Sequence, residues 1–229
     1  MNDKQLVAIE AAKLAKSGMV IGLGTGSTAN YFIEALAGRQ AQEGLKIQTV
    51  ASSTISAIKA QACNLNVLSI AQLSRIDLYV DGADEVTPQL TLLKGRGQDL
   101  VMEKLLAKAA DQFIVVADKS KLVSRIGEKF IIPIEVIPAA WQMVKHSLEK
   151  YGATGNIRLN AGQDNVAISA HGSYVLDMQF PQNIHDQALN DLLNSTPGIV
   201  EHGVFFGLST QVLIADNGKI EVMQAQMPL

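Results

Sequence analysis

Between Leu78 and Lys104 two apolar runs end abruptly in polar residues. Leu78-Tyr79-Val80 runs into Asp81-Gly82-Ala83-Asp84-Glu85, and Leu90 to Leu93 runs into Lys94-Gly95-Arg96-Gly97. Glu103 follows inside a helical pattern. Carboxylates and a lysine are thus delivered at the ends of buried elements, beside glycines that let a ligand approach the backbone. Such residues suit proton transfer on a polyol, in which carboxylates bind hydroxyls and move protons while a lysine neutralises a developing oxyanion. The acidic cluster also admits a hard metal such as Mg²⁺, or a solvated turn. Lys94 and Arg96, folded over it, would supply positive charge and lessen the need for a metal. Glu103 has Leu100 and Leu106 at i−3 and i+3. It reads either as an exposed acid paired with Lys104 or Lys108, or as a base screened from water, with Asp81 and Asp84 nearby raising its pKa. Lys121 repeats the pattern of Lys94, because it follows the buried run Phe113 to Ala117. Both lysines are expected at strand ends of one sheet.

A second constellation lies at Gly22-Leu23-Gly24-Thr25-Gly26-Ser27-Thr28. A strand, alternate glycines, then Ser and Thr opening a helix make an anion site, where backbone N–H groups and the helix dipole favour a phosphate. The dinucleotide fingerprint would need glycine where Ser27 stands, and a P-loop would need a lysine before the Ser/Thr pair. The next strand ends in Ser52-Ser53 rather than in an acid for a ribose hydroxyl. A small phosphorylated ligand held by Thr25, Gly26, Ser27 and Thr28 is the expectation, with a structural turn or a dinucleotide as alternatives.

The elements that must position these residues are legible from periodicity. Residues 3–17 read as a helix with Val7, Ala11 and Leu14 on one face and Gly18 as its cap. Strands are expected at Met19 to Leu23, Leu45 to Ala51, Val67-Leu68, Ile76 to Val80 and Phe113 to Ala117. Helices are expected from Ser27 to Gly38, from Thr54 to about Cys63, and from Asp99 to Ala110 with Leu100, Leu105, Leu106 and Ala109 toward the core. This alternation implies a Rossmann-like parallel sheet with helices on both faces. In such sheets ligands bind outside the carboxyl ends of the strands. From Phe130 the rhythm changes. Ile131 to Ile137 carries Pro133 and reads as an irregular or edge strand. The helix Ala139 to Tyr151, strand candidates at Asn156 to Leu159, Val166 to Ser169 and Tyr174 to Phe180, the helix Asn183 to Asn194 and the strand Ile199 to Phe206 follow. They read as β-α-β-β-α-β, a ferredoxin-like α+β unit. A hairpin around Asn217-Gly218 is placed to return to the first sheet. The expected domains are 1–128 plus 204–229 for the Rossmann-like catalytic part and 129–203 for the smaller one.

Composition narrows the function. The 229 residues are 48% hydrophobic and 18% charged with a net charge of −3, an ordinary globular composition. The absence of a basic run argues against nucleic acid as a partner. No stretch approaches the roughly 18 apolar residues of a membrane span. Asp3, Lys4, Glu10, Lys13 and Lys16 interrupt any signal-peptide core, so the cytoplasm is expected. A single cysteine, Cys63, cannot form an intrachain disulfide and fits a reducing compartment. His146, His171, His185 and His202 show no metal spacing.

Taken together, IGLGTGSTA at 21–29, VDGADE at 80–85, LKGRG at 93–97, EK at 103–104, ADKSK at 117–121, IPIEVIP at 132–138 and PGIVEHGVF at 197–205 resemble the A-type ribose-5-phosphate isomerases, in order and spacing, over nearly the whole chain. The resemblance implies interconversion of ribose 5-phosphate and ribulose 5-phosphate in the pentose phosphate pathway, without metal or cofactor, by a homodimer or a dimer of dimers. It implies that Glu103 is the proton-transferring base, with Asp81, Asp84 and Lys94 assisting. It places substrate against Thr25, Gly26, Ser27 and Thr28, against Asp81, Gly82, Ala83 and Asp84, against Lys94, Gly95, Arg96 and Gly97, and against Lys121. Lys4 matches an N-terminal phosphate lysine. Two departures stand out. The family usually reads KGGGAA then REK, where this chain has Arg96, Gln98, Asp99 and Met102. It commonly has Thr-Asp-Asn-Gly where this chain has Ser169-Ala170-His171-Gly172. A sugar-phosphate-sensing module of the same fold is the alternative class; it would keep the phosphate loop without needing Glu103 and Lys94 together.

Overall fold

The computed structural model describes residues 2–97 and 99–225. In chain order the elements are α1 (Asp3–Ala12), β1 (Val20–Leu23), α2 (Ser27–Glu43), β2 (Gln48–Ala51), α3 (Thr54–Ala62), β3 (Ile76–Asp81), β4 (Glu85–Val86), β5 (Leu92–Leu93), α4 (Leu100–Ala109), β6 (Ala110–Asp118), β7 (Ile132–Val136), α5 (Trp141–Glu149), β8 (Thr154–Ile157), β9 (Tyr174–Gln179), α6 (Asp186–Ser195), β10 (Ile199–His202), β11 (Val204–Phe205), β12 (Gln211–Asp216) and β13 (Lys219–Gln224). They form two compact units. One comprises Met1–Ala83, Met102–Leu122 and Leu208–Leu229, and the other Asp84–Val101 and Val123–Gly207. Lys94 and Arg96 therefore pack with the second unit.

The first unit is the Rossmann-like part. Its six-stranded sheet has the order β13-β12-β6-β3-β1-β2, parallel except for the β12–β13 hairpin. Alternate residues Ile21 and Leu23, Leu78 and Val80, Ile114 and Val116, and Leu213 and Ala215 share a core with Val7 and Ala11 of α1 and Phe32, Ile33 and Leu36 of α2. Strands buried on both faces read as unbroken apolar runs, which is why the sequence announces them.

Several boundaries differ from the sequence expectation. Helix α2 continues past Gly38 to Glu43 and ends at Gly44, whose φ of 70° is left-handed. An interior glycine costs about 1 kcal/mol, but the added turn carries Arg39, which donates to the carbonyls of Ala12 and Ala15 at 2.6 and 2.9 Å. The guanidinium so serves the end of α1, which stops at Ala12. Val67-Leu68 is no strand; Val67 makes one parallel bridge to Thr49. Leu105 points outward at 51% exposure, because the buried stripe of α4 runs through Leu100, Glu103, Leu106 and Ala107.

The second unit holds the ferredoxin-like sheet, order β10-β7-β9-β8 and antiparallel throughout. Ile132, Ile134, Val136, Leu176 and Met178 pack on Val144 and Leu148 of α5 and on Leu189 and Leu193 of α6. Val166 to Ser169 contributes isolated bridges only. Strand β7 is interior, not an edge, despite Pro133. Its carbonyl accepts from Gly203 N at 2.8 Å, so the proline nitrogen faces the same neighbour just past the end of β10. There the donor it lacks is supplied by Lys94, whose N–H donates to the Gly203 carbonyl at 2.9 Å. The expected single strand Ile199 to Phe206 breaks at Gly203 into β10 and β11, and β11 joins β5 and β4 in a separate three-stranded sheet.

Candidate active site

The strands of the first unit's parallel sheet deliver their polar termini to one edge. Register pairs Leu23 with Ala51 and with Val80, and Asp81 with Val115. The Gly24–Thr28 turn, Ser52-Ser53, Asp81 and the Asp118–Lys121 turn all lie just beyond these carboxyl ends. Gly26 caps α2 with φ 113° and ψ −178°, a conformation suited to glycine. The first N–H groups of a helix have no intrahelical acceptor; here they belong to Ser27, Thr28 and the residues after them. Lys4 Nζ reaches Ser27 Oγ at 3.0 Å. A cation beside a helix N-terminus is repelled by the dipole, so this placement suits an anion lying against both. Thr25 Oγ1 donates to Ser53 Oγ at 2.7 Å and lies 2.9 Å from Ser52 Oγ and 3.2 Å from Ser56 Oγ. Ser56 Oγ in turn donates to the Gly24 carbonyl at 2.7 Å.

Asp81 is fully buried. Its Oδ1 accepts from Thr25 N at 3.0 Å and from Gly82 N at 2.7 Å, and its Oδ2 accepts from the Tyr79 hydroxyl. Tyr79 stacks on Phe113 at 4.8 Å between centroids. Burial, then the charges of Asp81 and Glu103, push its phenol well above the ordinary tyrosine range, so it serves as a permanent donor. The glycines of the turn gain a second meaning here. A Cβ on Gly24 would lie 2.1 Å from Asp81 Oδ1 and 2.6 Å from Asp81 Cα, and one on Gly22 would lie 2.7 Å from the Tyr79 ring. Two of the three glycines thus make room for Asp81 and Tyr79, and Gly26 alone adopts the left-handed φ.

Glu103 is 6% exposed, on the buried stripe of α4 rather than on its solvent face. Its charge acts on the Tyr79 phenol, as does that of the hydrogen-bonded Asp81. Gly82 and Ala83 complete the turn after β3. Lys121 ends a short 3₁₀ turn capped by Asp118.

In the second unit, Lys94 follows β5 and so belongs to the three-stranded sheet, not to the sheet of the glycine-rich turn as the spacing suggested. It is 4% exposed, with Nζ 5.7 Å from the Phe205 ring centroid. Its backbone is tightly placed, since a Cβ on Gly203 would stand 2.4 Å from the Lys94 carbonyl. Asp84 N donates to the Leu93 carbonyl at 2.8 Å, and Gly95, at φ 89°, packs under Leu100. Arg96 and Gly97 are exposed. Glu85, read within the acidic cluster, is structural: its carboxylate accepts from the N–H groups of Gly127, Lys129 and Phe130 at 2.6–2.8 Å. Among the described residues no group of three or more His, Cys, Asp or Glu is arranged to hold a metal ion. No helix of the described residues is long and apolar enough to cross a membrane.

Tyr79, Ser52 and Ser56 were not singled out by sequence reasoning. For Tyr79 a signal existed: it lies two residues before Asp81, hence on the same face of β3.

Comparison with known proteins completes the picture. Residues 48–219 match the family model of ribose 5-phosphate isomerase A, phosphoriboisomerase A. The chain is 41% identical over 224 residues to ribose-5-phosphate isomerase A of Methanothermobacter thermautotrophicus, covering 98% of each. It is 39% identical over 223 residues to that of Thermococcus kodakarensis, covering 96% of this chain and 97% of the other. Among solved structures, ribose 5-phosphate isomerase A of Methanocaldococcus jannaschii superposes with a TM-score of 0.91 at 36% identity, over 97% of this chain and 98% of that one. A D-ribose-5-phosphate isomerase in complex with phospho-erythronic acid superposes with a TM-score of 0.93 at 36% identity, over 98% of this chain and 100% of that one. The chain belongs to the ribose-5-phosphate isomerase A family.

Proposed function

We propose that the protein interconverts D-ribose 5-phosphate and D-ribulose 5-phosphate through a cis-enediolate, with Glu103 as the base. The observation that carries this reading is a pair of buried carboxylates, Asp81 and Glu103, whose charges both act on the Tyr79 phenol, with Asp81 bonded to Thr25 of the glycine-rich turn. Aldose–ketose isomerisation needs one base that reaches two adjacent carbons. Glu103 removes the C2 proton of the open-chain aldose, the C1 oxygen takes up the charge, and the C2 hydroxyl proton moves to it. The proton returned to C1 gives the ketose. Lys94 and the turn amides stabilise the oxyanion. Asp81 assists ring opening, Asp84 orients a hydroxyl, and Lys121 contacts the substrate. The phosphate lies on the N–H groups opening α2, between Thr25–Thr28 and Lys4, and its binding energy positions the reacting carbons. The reading includes no metal or cofactor. The same resemblance supports a homodimer, or a dimer of dimers, in the cytoplasm.

The test is proton NMR of ribose 5-phosphate with EDTA-treated protein in D₂O. Ribulose 5-phosphate carrying deuterium at C1 is the expected product. Saturable binding without turnover would replace the enzyme with a sensing module, and activity that vanished with EDTA and returned with Mg²⁺ would overturn the metal-free chemistry.

A further inference from the structure

Arg96 follows Lys94 in the loop after β5, and the second unit holds it from three sides. Its guanidinium carbon lies 4.2 Å from the Phe130 ring centroid. Its Nη1 stands 3.7 Å from Asp84 Oδ1. Its carbonyl accepts from Arg158 Nη1 at 3.2 Å. Arg158 does not wander, because it grips Asp177 with two bonds, Nε to Oδ2 at 2.8 Å and Nη2 to Oδ1 at 2.5 Å, and the two side chains are only 13% and 18% exposed. A bidentate arginine–carboxylate pair fixes direction as well as distance. Asp177 itself sits in the β8–β9 ladder, paired with Asn156.

We infer that Arg96 is a positioning residue: anchored through its backbone by Arg158 and Asp177 and stacked on Phe130, it holds the Asp84 carboxylate in the orientation that meets a sugar hydroxyl. The inference rests on the isomerase reading for the role of Asp84, and on the geometry above for the bracket itself. A glycine at this place would offer neither the stack nor the charge. The bracket therefore acts on substrate binding more than on proton transfer at Glu103.

The experiment is a double-mutant cycle on the full-length protein with ribose 5-phosphate. Arg96→Ala should raise KM about 3–10-fold and lower kcat by less, the scale expected for loss of one charge-assisted contact to a substrate-binding group. In an Asp84→Asn background the same substitution should change KM by less than about 2-fold. Arg96→Lys should restore only part of the loss, since it keeps the charge but not the planar stack. A KM effect of Arg96→Ala that persists undiminished in Asp84→Asn, or one confined to kcat, would overturn the inference. If the wild-type protein showed no turnover, the isomerase reading would fail first. Hydrogen exchange would then decide the bracket: Arg96→Ala must speed exchange of the Asp84 and Lys94 amides, and unchanged exchange would overturn it.

Discussion

The Tyr79 hydroxyl donates a hydrogen bond to Asp81, two residues further along the same strand, and the strand register places Gly22 directly opposite Tyr79. Gly24, next in alternation just past the end of β1, faces Asp81. A G-x-G running from β1 into its following turn therefore nests a Y-x-D on β3. The pair locks the carboxylate while the backbone N–H groups of Thr25 and Gly82 close on its other oxygen.

Tyr79→Phe keeps the ring and its stack on Phe113 but removes the donor. A hydrogen bond to a charged group is worth roughly 1.5–3 kcal/mol. We expect kcat/KM to fall about 10–100-fold with the fold retained, measured by steady-state kinetics beside circular dichroism. Unchanged kinetics would reduce Tyr79 to a packing residue.

Gly24→Ala and Gly26→Ala should fail for different reasons. At Gly24 the new methyl meets Asp81 Cα at 2.6 Å, a backbone collision that no rotamer relieves. At least about 3 kcal/mol of stability should be lost, near the upper end of overpacking costs, together with activity. At Gly26 there is open space but a φ of 113°, so the cost is backbone strain of order 1–3 kcal/mol, and the KM for the phosphorylated sugar should rise. Thermal melts of the two variants would separate them. Equal destabilisation would contradict the assignment of Gly24 to Asp81.

Glu103→Gln preserves shape on the buried stripe of α4 and removes the base. We expect turnover to fall roughly 10²–10⁴-fold, the range for loss of a general base, and deuterium uptake at C1 to fall in step. A variant that still exchanged solvent deuterium at the wild-type rate would take Glu103 out of the mechanism.

The parallel sheet was legible because each core strand is an apolar run cut off by polar residues, as at Val20–Leu23 and Ile76–Asp81. The Tyr79–Asp81 arrangement was not, because it depends on which residue of β1 faces which residue of β3, and register is tertiary information. Glu103 was half legible: the stripe Leu100, Glu103, Leu106, Ala107 has helical period, but it competed with a solvent-facing reading alongside Lys104 and Lys108. Glu85 could not be separated from Asp81 and Asp84 by type or spacing, since its partners, the N–H groups at 127–130, lie more than forty residues away. Pro133 argued for an edge because its missing donor was expected to break a ladder. In the fold that position lies beyond β10, where Lys94 supplies the bond instead.

Glu135 carries the last prediction. It is fully buried in the middle of β7, with the Ser169 and Ser173 hydroxyls beside its carboxyl group but outside good hydrogen-bonding geometry. Across the ladder it pairs with Glu201, and the Ser169–Ser173 turn with His171 lies beside it. Burial raises its pKa above the ordinary 4.5, while the Ser169 hydroxyl and then His171 pull back in part. The folded chain thus holds this proton more tightly than the unfolded chain. The stability contributed by the neutral carboxyl is full below pH 4.5 and is lost as pH rises through the folded value. Glu135→Gln is uncharged at every pH and escapes that loss. At pH 8 it should be more stable than the wild type, because the wild-type carboxyl must either ionise in a buried site or hold its proton against the solvent there, and the difference should shrink toward zero near pH 4. Denaturant midpoints across that range provide the measurement. A variant less stable than the wild type at pH 8 would mean that Glu135 is held ionised by its neighbours and contributes to folding as a charge.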